Sequence, residues 1–138
     1  VKPMEAEISP GQAWDMLGSD KSAQLVDVRT EPEWLYVGEP LLADMGKELV
    51  KISWHVFPEM NVNVEFVPEL RSAMRLEHPV IFICRSGGRS LAAAKAAFNA
   101  GFDRSYSLAD GFEGGVDRQG HRGTTTGWKA EGLPWKQP

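Results

Sequence analysis

The chain has 138 residues, of which 42% are hydrophobic and 25% charged, the proportions of one ordinary globular domain. Nineteen acidic against fifteen basic residues give a formal charge of −4, which argues against a general nucleic-acid binder, since that function needs a basic surface. The longest apolar run, Val80 to Cys84, falls far short of the ~20 residues of a transmembrane helix, so no membrane span is expected.

Helix and strand signals alternate along the chain. Ser9-Pro10-Gly11-Gln12 has the pattern of a capping box and predicts a helix with Ala13, Trp14 and Leu17 on one face and an end at Gly18. Gln24 to Val28 is a short apolar run suited to a buried strand. Thr30-Glu31-Pro32-Glu33 repeats the capping-box pattern and opens a short helix that Gly38 and Pro40 close. Glu48 to Ile52 alternates weakly and reads as a strand, whereas residues 53–64 show no clear period. Phe66, Leu70 and Met74 at i, i+4 and i+8 predict a helix over Glu65 to Leu76. Pro79 to Cys84, apolar throughout, predicts a central strand. Leu91, Ala94 and Phe98 predict the inner face of an Ala-rich helix that starts near Ser90 and is capped by Gly101. Ser105 to Ala109 reads as a short last strand.

Strands joined by helices imply an α/β domain with a parallel sheet covered on both faces and right-handed crossovers. The polar, Gly-rich stretch 114–127 reads as a long loop, of a length that points to function or mobility. Trp128, Leu133 and Trp135 are expected to pack the C-terminal tail back onto the domain, so that 1–138 forms a single unit.

The one cysteine, Cys84, permits no intrachain disulfide and no Cys-based metal site. A lone thiol suits a reducing compartment, and Val1 to Glu5 holds no apolar signal-peptide core, so the expectation is a cytoplasmic protein. Cys84 opens the segment Cys84-Arg85-Ser86-Gly87-Gly88-Arg89-Ser90, between the central strand and the next helix. Ligands of open α/β sheets bind beyond the carboxyl ends of the strands, which is where this segment falls. Gly87 and Gly88 allow positive φ, so the backbone can curl and aim its N–H groups inward. The helix N-terminus and the guanidinium groups of Arg85 and Arg89 add positive charge beside the sulfur. Each of these features favours a negatively charged sulfur nucleophile and an anionic substrate.

Four residues separate Cys84 from Arg89, one fewer than in the wider phosphate-wrapping loop of protein tyrosine phosphatases. The segment resembles that of rhodaneses, the single-domain sulfurtransferases, whose Cys-Arg-x-Gly-x-Arg-Ser/Thr pattern is matched at Cys84, Arg85, Gly87, Arg89 and Ser90. The resemblance runs from about Ile8 to Trp135. Asp27-Val28-Arg29 with Glu33-Trp34 is similar to the family's segment after its second strand. Leu108-Ala109-Asp110-Gly111-Phe112 is similar to its Leu-x-Gly-Gly-Trp/Phe segment, with Asp110 in place of the first Gly, and Gly132-Leu133-Pro134 matches its ending. Gly38-Glu39-Pro40-Leu41 replaces the usual Gly-His-Ile-Pro-Gly-Ala, so the approach to the third strand differs. The stretch Gly114 to Trp128 is also longer than typical.

The resemblance implies a five-stranded parallel sheet with helices on both faces. It further implies a sulfurtransferase that takes sulfane sulfur from thiosulfate, or a similar small anionic donor, as a Cys84 persulfide. A thiophilic acceptor (cyanide, a dithiol or a protein thiol) would then receive the sulfur. The cradle would be Arg85, Ser86, Gly87, Gly88, Arg89 and Ser90, with Arg85 toward the mouth and Arg89 bracing the loop. No cofactor, metal, nucleic acid or membrane enters this expectation. Asp27 is either an acid–base participant or, as expected, a support for the loop backbone, with Arg29 paired to Glu33 four residues on. His55, His78 and His121 have no metal-site spacing, although His121-Arg122 is a lesser candidate for substrate contact from the long loop. Two other readings compete. A phosphatase or arsenate reductase needs the wider loop and, for arsenate, commonly a second thiol. A non-catalytic module that only binds a partner would not need Cys84, Arg85 and Arg89 intact, whereas a sulfur carrier would still form the persulfide but turn over poorly with small acceptors.

Overall fold

In the computed structural model, which describes residues 7–137, the elements run β1 (Glu7–Ile8), α1 (Pro10–Ser19), β2 (Gln24–Asp27), α2 (Glu31–Tyr36), β3 (Glu39–Pro40), β4 (Val50–Lys51), β5 (His55–Val56), β6 (Asn61–Val62), α3 (Phe66–Ala73), β7 (Val80–Ile83), α4 (Gly88–Asn99), β8 (Ser105–Leu108) and β9 (Trp135–Lys136). The unbroken apolar run of β7 makes it the middle strand of a five-stranded parallel sheet in the order β1-β8-β7-β2-β4. All four of its residues are buried. Alternation along it serves both faces. Val80, Phe82 and the following Cys84 join Phe66 and Leu70 of α3 and Ala93, Ala94 and Ala97 of α4 in one core layer. Ile81 and Ile83 join Ala13 and Leu17 of α1, with Phe112 and Trp128, in the other. Each large side chain so buried contributes about 1.5–3 kcal/mol.

The capping box of α1 forms as its residues predict, the Ser9 N–H donating to the Gln12 side chain at 2.9 Å and the Gln12 N–H to Ser9 Oγ at 3.1 Å. Predicted elements mostly lose one to three residues at their ends. Glu48 to Ile52 contracts to β4, and Glu65 to Leu76 contracts to α3. The inner face of α4 differs from the expected Leu91, Ala94 and Phe98. Ser90, Ala93, Ala94 and Ala97 are buried, while Leu91 and Phe98 are half-buried at the flanks. Small residues let this helix lie close on β7 and β8, so bulk is displaced to the sides of the contact.

Three short features carry no sequence period. β1 completes the sheet through only two pairs with β8. Within residues 53–64, β5 and β6 form a two-residue antiparallel ladder. Glu39 and Pro40, in the segment that departs from the family pattern, pair antiparallel with β9 of the tail. Trp128 is fully buried, packs edge-on against Trp14 with ring centroids 5.7 Å apart, and donates its indole N–H to the Pro134 carbonyl at 2.7 Å. No helix among the described residues is long and apolar enough to cross a membrane.

Candidate active site

A parallel sheet sends all its strands out at one end, and three of those ends converge on Cys84. β2 pairs with β7 so that Asp27 lies opposite Ile83, and Val28 N–H bonds the Ile83 carbonyl at 3.0 Å. On the other side β8 brings Leu108 and the turn after it alongside. The Cys84 side chain is 1% exposed. Gly87 N–H donates to its Sγ at 3.1 Å, which the loop achieves with φ +120° at Gly87, a conformation that L side chains rarely adopt. Gly88 takes no positive φ, contrary to expectation. It is the first residue of α4, which starts two residues earlier than predicted. The first helical bond is from Leu91 N–H to the Gly87 carbonyl at 3.1 Å, so the amides of Gly88, Arg89 and Ser90 precede the ladder and present positive partial charge near the sulfur.

Two hydroxyls close the floor beneath the sulfur. Ser90 Oγ lies 3.4 Å from Cys84 Sγ, donates to the Gly87 carbonyl at 3.0 Å, and is 2.7 Å from Ser107 Oγ. Both serines are fully buried. Sequence reasoning named Ser90 and missed Ser107. The available signal was two serines at strand period, Ser105 and Ser107, opposite the core residues Val80 and Phe82 of β7. Ser105 turns back to the Phe102 carbonyl at 2.6 Å, which leaves Ser107 as the one that reaches Ser90.

The expected Arg29–Glu33 pair does not form. Arg29, fully buried, pairs instead with Asp27 through Nε at 2.9 Å and Nη2 at 2.6 Å, and its Nη2 also donates to the Gly38 carbonyl at 2.7 Å. Its guanidinium lies 4.4 Å above the Phe112 ring. Asp27 thus holds Arg29 through its backbone N–H at 3.1 Å as well as its guanidinium, and among the described residues it makes no hydrogen bond to the Cys84 loop, because the chain leaving β2 folds the arginine back over its own strand end. Glu33 is left free for Arg89, which it meets through two parallel bonds of 2.7 and 2.9 Å while accepting from the Thr30 N–H at 3.1 Å. Burial works against ionisation of Glu33, but the Arg89 bonds and charge and the Thr30 donors outweigh it and hold the carboxyl at about 2. The bonded Glu33 carboxylate in turn raises Arg89 above the usual arginine value, against its partial burial. Arg89 therefore ties the cradle to α2, its charge largely matched.

Behind the loop, Phe112 N–H donates to the Cys84 carbonyl at 2.8 Å, and Glu113 and Gly114 N–H groups donate to the Arg85 carbonyl at 3.0 and 3.2 Å. Gly111 sits so close that a Cβ there would lie 2.6 Å from both carbonyl atoms of Arg85 and nearer still to the Cys84 carbonyl oxygen. Asp110 occupies the left-handed region with φ +66°, which explains how it replaces the family's glycine, since Asp tolerates that conformation better than most residues. The stretch 114–127 has no helix or strand but is internally bonded. Asp117 accepts from the Gln119 and His121 N–H groups at 2.9 and 2.8 Å and from Thr124 Oγ1 at 2.7 Å. Arg122 donates to the Gly114 carbonyl at 2.7 Å.

Over the cradle opens a mouth of about 560 Å³ lined by Glu33, Val37, Met60, Arg85, Arg89, Glu113 and Arg122. Arg85 is exposed there. Of the pair His121-Arg122, the arginine lines the mouth. Met60, in the unpatterned region between β5 and β6, was not singled out from sequence. A buried sulfur bonded by the Gly87 amide at a helix start, beneath a rim on which Arg85, Arg89 and Arg122 outnumber Glu33 and Glu113, is suited to nucleophilic chemistry on an anionic substrate.

The family model of the STR4 middle domain matches residues 6–138. The crystal structure of Rv0390 from M. tuberculosis has a TM-score of 0.90 and 48% identity, covering 99% of this chain and 100% of that chain. An uncharacterized protein of Rickettsia conorii is 37% identical over 127 residues, 91% of this chain and 92% of its own length. The thiosulfate sulfurtransferase GlpE of Actinobacillus pleuropneumoniae is 28% identical over 128 residues, 93% of this chain and 90% of its own length.

Proposed function

The chain belongs to the STR4 middle-domain family and has the rhodanese-like fold, and from that premise we propose that it is a sulfurtransferase working through a Cys84 persulfide. The observation that carries the reading is the tight cradle itself, with Gly87 N–H bonded to Cys84 Sγ and the amides of Gly88, Arg89 and Ser90 ahead of the helical ladder. In the first half-reaction the Cys84 thiolate attacks the outer sulfur of thiosulfate. The sulfur–sulfur bond of the donor breaks, sulfite leaves with the electron pair, and Cys84 carries a terminal persulfide anion. In the second, an acceptor thiolate or cyanide attacks that terminal sulfur, and the Cys84 thiolate is the leaving group. Neither half needs a general base once the sulfur is ionised. This supports a holding role for Asp27, whose carboxylate is engaged by Arg29.

Arg85 and Arg122 supply the rim charge that draws in a small anion. A mouth of about 560 Å³ greatly exceeds thiosulfate, which supports an acceptor larger than the donor, such as a protein thiol. A carrier module that loads sulfur and hands it to one partner shares the same first step. The four-residue spacing of the loop weighs against a phosphatase. The test is intact mass after incubation with thiosulfate. The expected result is a gain equal to one sulfur atom, removed by cyanide and missing in Cys84→Ser. No gain in the intact protein refutes the proposal. Single-turnover loading with negligible steady-state turnover would assign the carrier role instead.

A further inference from the structure

Ser90 has one hydroxyl proton and three polar neighbours, and counting protons among them exposes a two-state device. The Gly87 carbonyl can only accept. Ser107 Oγ, 2.7 Å away, has no hydrogen-bond partner other than Ser90 among the described residues, so its proton goes to Ser90 Oγ. Cys84 Sγ, 3.4 Å away, is a donor when it bears a proton and an acceptor when it does not. With a neutral thiol every demand is met: Cys84 and Ser107 donate to Ser90 Oγ, and Ser90 donates to the Gly87 carbonyl at 3.0 Å.

Loss of the thiol proton breaks that pattern. If Ser90 kept its proton on the carbonyl, it would present an oxygen lone pair to a buried sulfur anion. Rotation of the hydroxyl toward sulfur exchanges this repulsion for a charge-assisted hydrogen bond. The Gly87 carbonyl is not orphaned by the change, since it retains the Leu91 N–H at 3.1 Å. The bond from Ser107 persists in both states and polarises the Ser90 hydroxyl toward the sulfur.

We propose that Ser90 is a hydroxyl rotor that turns from the Gly87 carbonyl to the Cys84 sulfur when the sulfur becomes anionic, and that Ser107 is the positioning residue that holds and supplies the rotor. The proposal rests on Cys84 being the nucleophile of the sulfurtransferase reading, but its test does not require sulfur transfer. The charged groups around the cradle, Arg85 on the loop, Arg89 with Glu33 of α2, Asp27 with Arg29 at the end of β2, and Asp110, Glu113 and Arg122 on the segment after β8, are the same in every variant compared.

The experiment is the rate of Cys84 alkylation by iodoacetamide as a function of pH. Ser107→Ala is expected to slow alkylation about fivefold at neutral pH, the factor one neutral hydrogen bond is worth, and to match the parent at about pH 10, above the range of an ordinary thiol. Ser107→Thr, which restores the hydroxyl, should recover the neutral rate to within about twofold. In a Ser90→Ala background, Ser107→Ala should change nothing further, because the relay runs through Ser90. Equal alkylation of Ser107→Ala and parent at neutral pH overturns the proposal, as does an undiminished effect of Ser107→Ala without Ser90. Should Ser107→Ala fold poorly, the Ser90→Ala and Ser107→Thr arms still decide, since a rotor predicts slowed alkylation in the first and near-parent rates in the second. Expected alkylation behaviour with no persulfide after thiosulfate would remove the sulfurtransferase reading and leave the rotor standing.

Discussion

The floor and the mouth of the site are built by different means. The floor, comprising Cys84, Gly87, Ser90 and Ser107, comes from a strand end, a helix start and a neighbouring strand, and is buried. The mouth, with Arg85, Glu113, Arg122 and Met60, is built from loops, its charged side chains exposed at Arg85 and half-buried at Glu113 and Arg122. Regular elements hold a reacting atom against a fixed set of donors, whereas loops can change their side chains without disturbing it. The chemistry should therefore depend on the floor and the choice of partner on the mouth. Arg89 and Glu33 line the mouth yet serve the floor, because their ion pair ties the loop to α2.

The largest expected effect is from Gly111→Ala. Its Cβ would meet the backbone of Cys84 and Arg85, and its φ is +63°, so the cradle must shift. Persulfide loading should fall by about a hundredfold or more and the melting temperature should drop, as is usual for a forced clash at a strained position. Near-parent loading would show that the floor tolerates displacement and would dissolve the distinction.

Next comes Arg89→Lys, which keeps the charge but cannot make both bonds to Glu33. A fall of about tenfold in kcat with little change in KM is expected in steady-state assays, the pattern of lost positioning. An effect confined to KM would assign Arg89 to the mouth alone.

The same clamp predicts a pH dependence of stability. The Glu33 carboxyl has an ordinary value of 4.5 and is held at about 2 in the fold, so its contribution is whole above 4.5 and is lost as the pH falls from 4.5 toward 2. Thermal melts across that window should show the parent losing about 3–5 °C more than Glu33→Gln, a screened contribution of roughly 1 kcal/mol. Parallel curves would mean that the pair adds nothing to folding.

Smaller effects belong to the mouth. Arg85→Ala should raise KM for thiosulfate about threefold to tenfold with kcat nearly unchanged and melting temperature preserved, the signature of lost uniform binding. Asp117→Ala releases the turn that carries Arg122 and should raise KM by about twofold, with that increment absent in an Arg122→Ala background. A large kcat effect from either would show that floor and mouth are one unit.

Much of this was readable before folding, because it is local. The apolar run before Cys84 specifies a central strand, Ser9 and Gln12 specify a helix start, and Gly87 with the residues after it specifies a turn into a helix. These depend on side-chain period, φ preference and capping within a few residues. Two-residue ladders such as Glu39–Pro40 with Trp135–Lys136 escape that reasoning, since they are too short to show a period. The partner of Arg29 was misread for a related reason. Spacing along a helix favoured Glu33, but the chain leaving β2 turns Arg29 back to Asp27.

The amino-acid sequence thus determined on its own the strand, the glycine turn that carries Cys84 and the helix that follows, all contiguous from Val80 to Asn99. Only the tertiary structure decided what meets them from elsewhere: Glu33 on Arg89 across 56 positions, Ser107 on Ser90 across 17, and Gly111 against the back of the loop. Such contacts follow from the order and register of the strands, which set which distant residues arrive at the same end of the sheet. No local preference of a serine or a glutamate encodes that arrival.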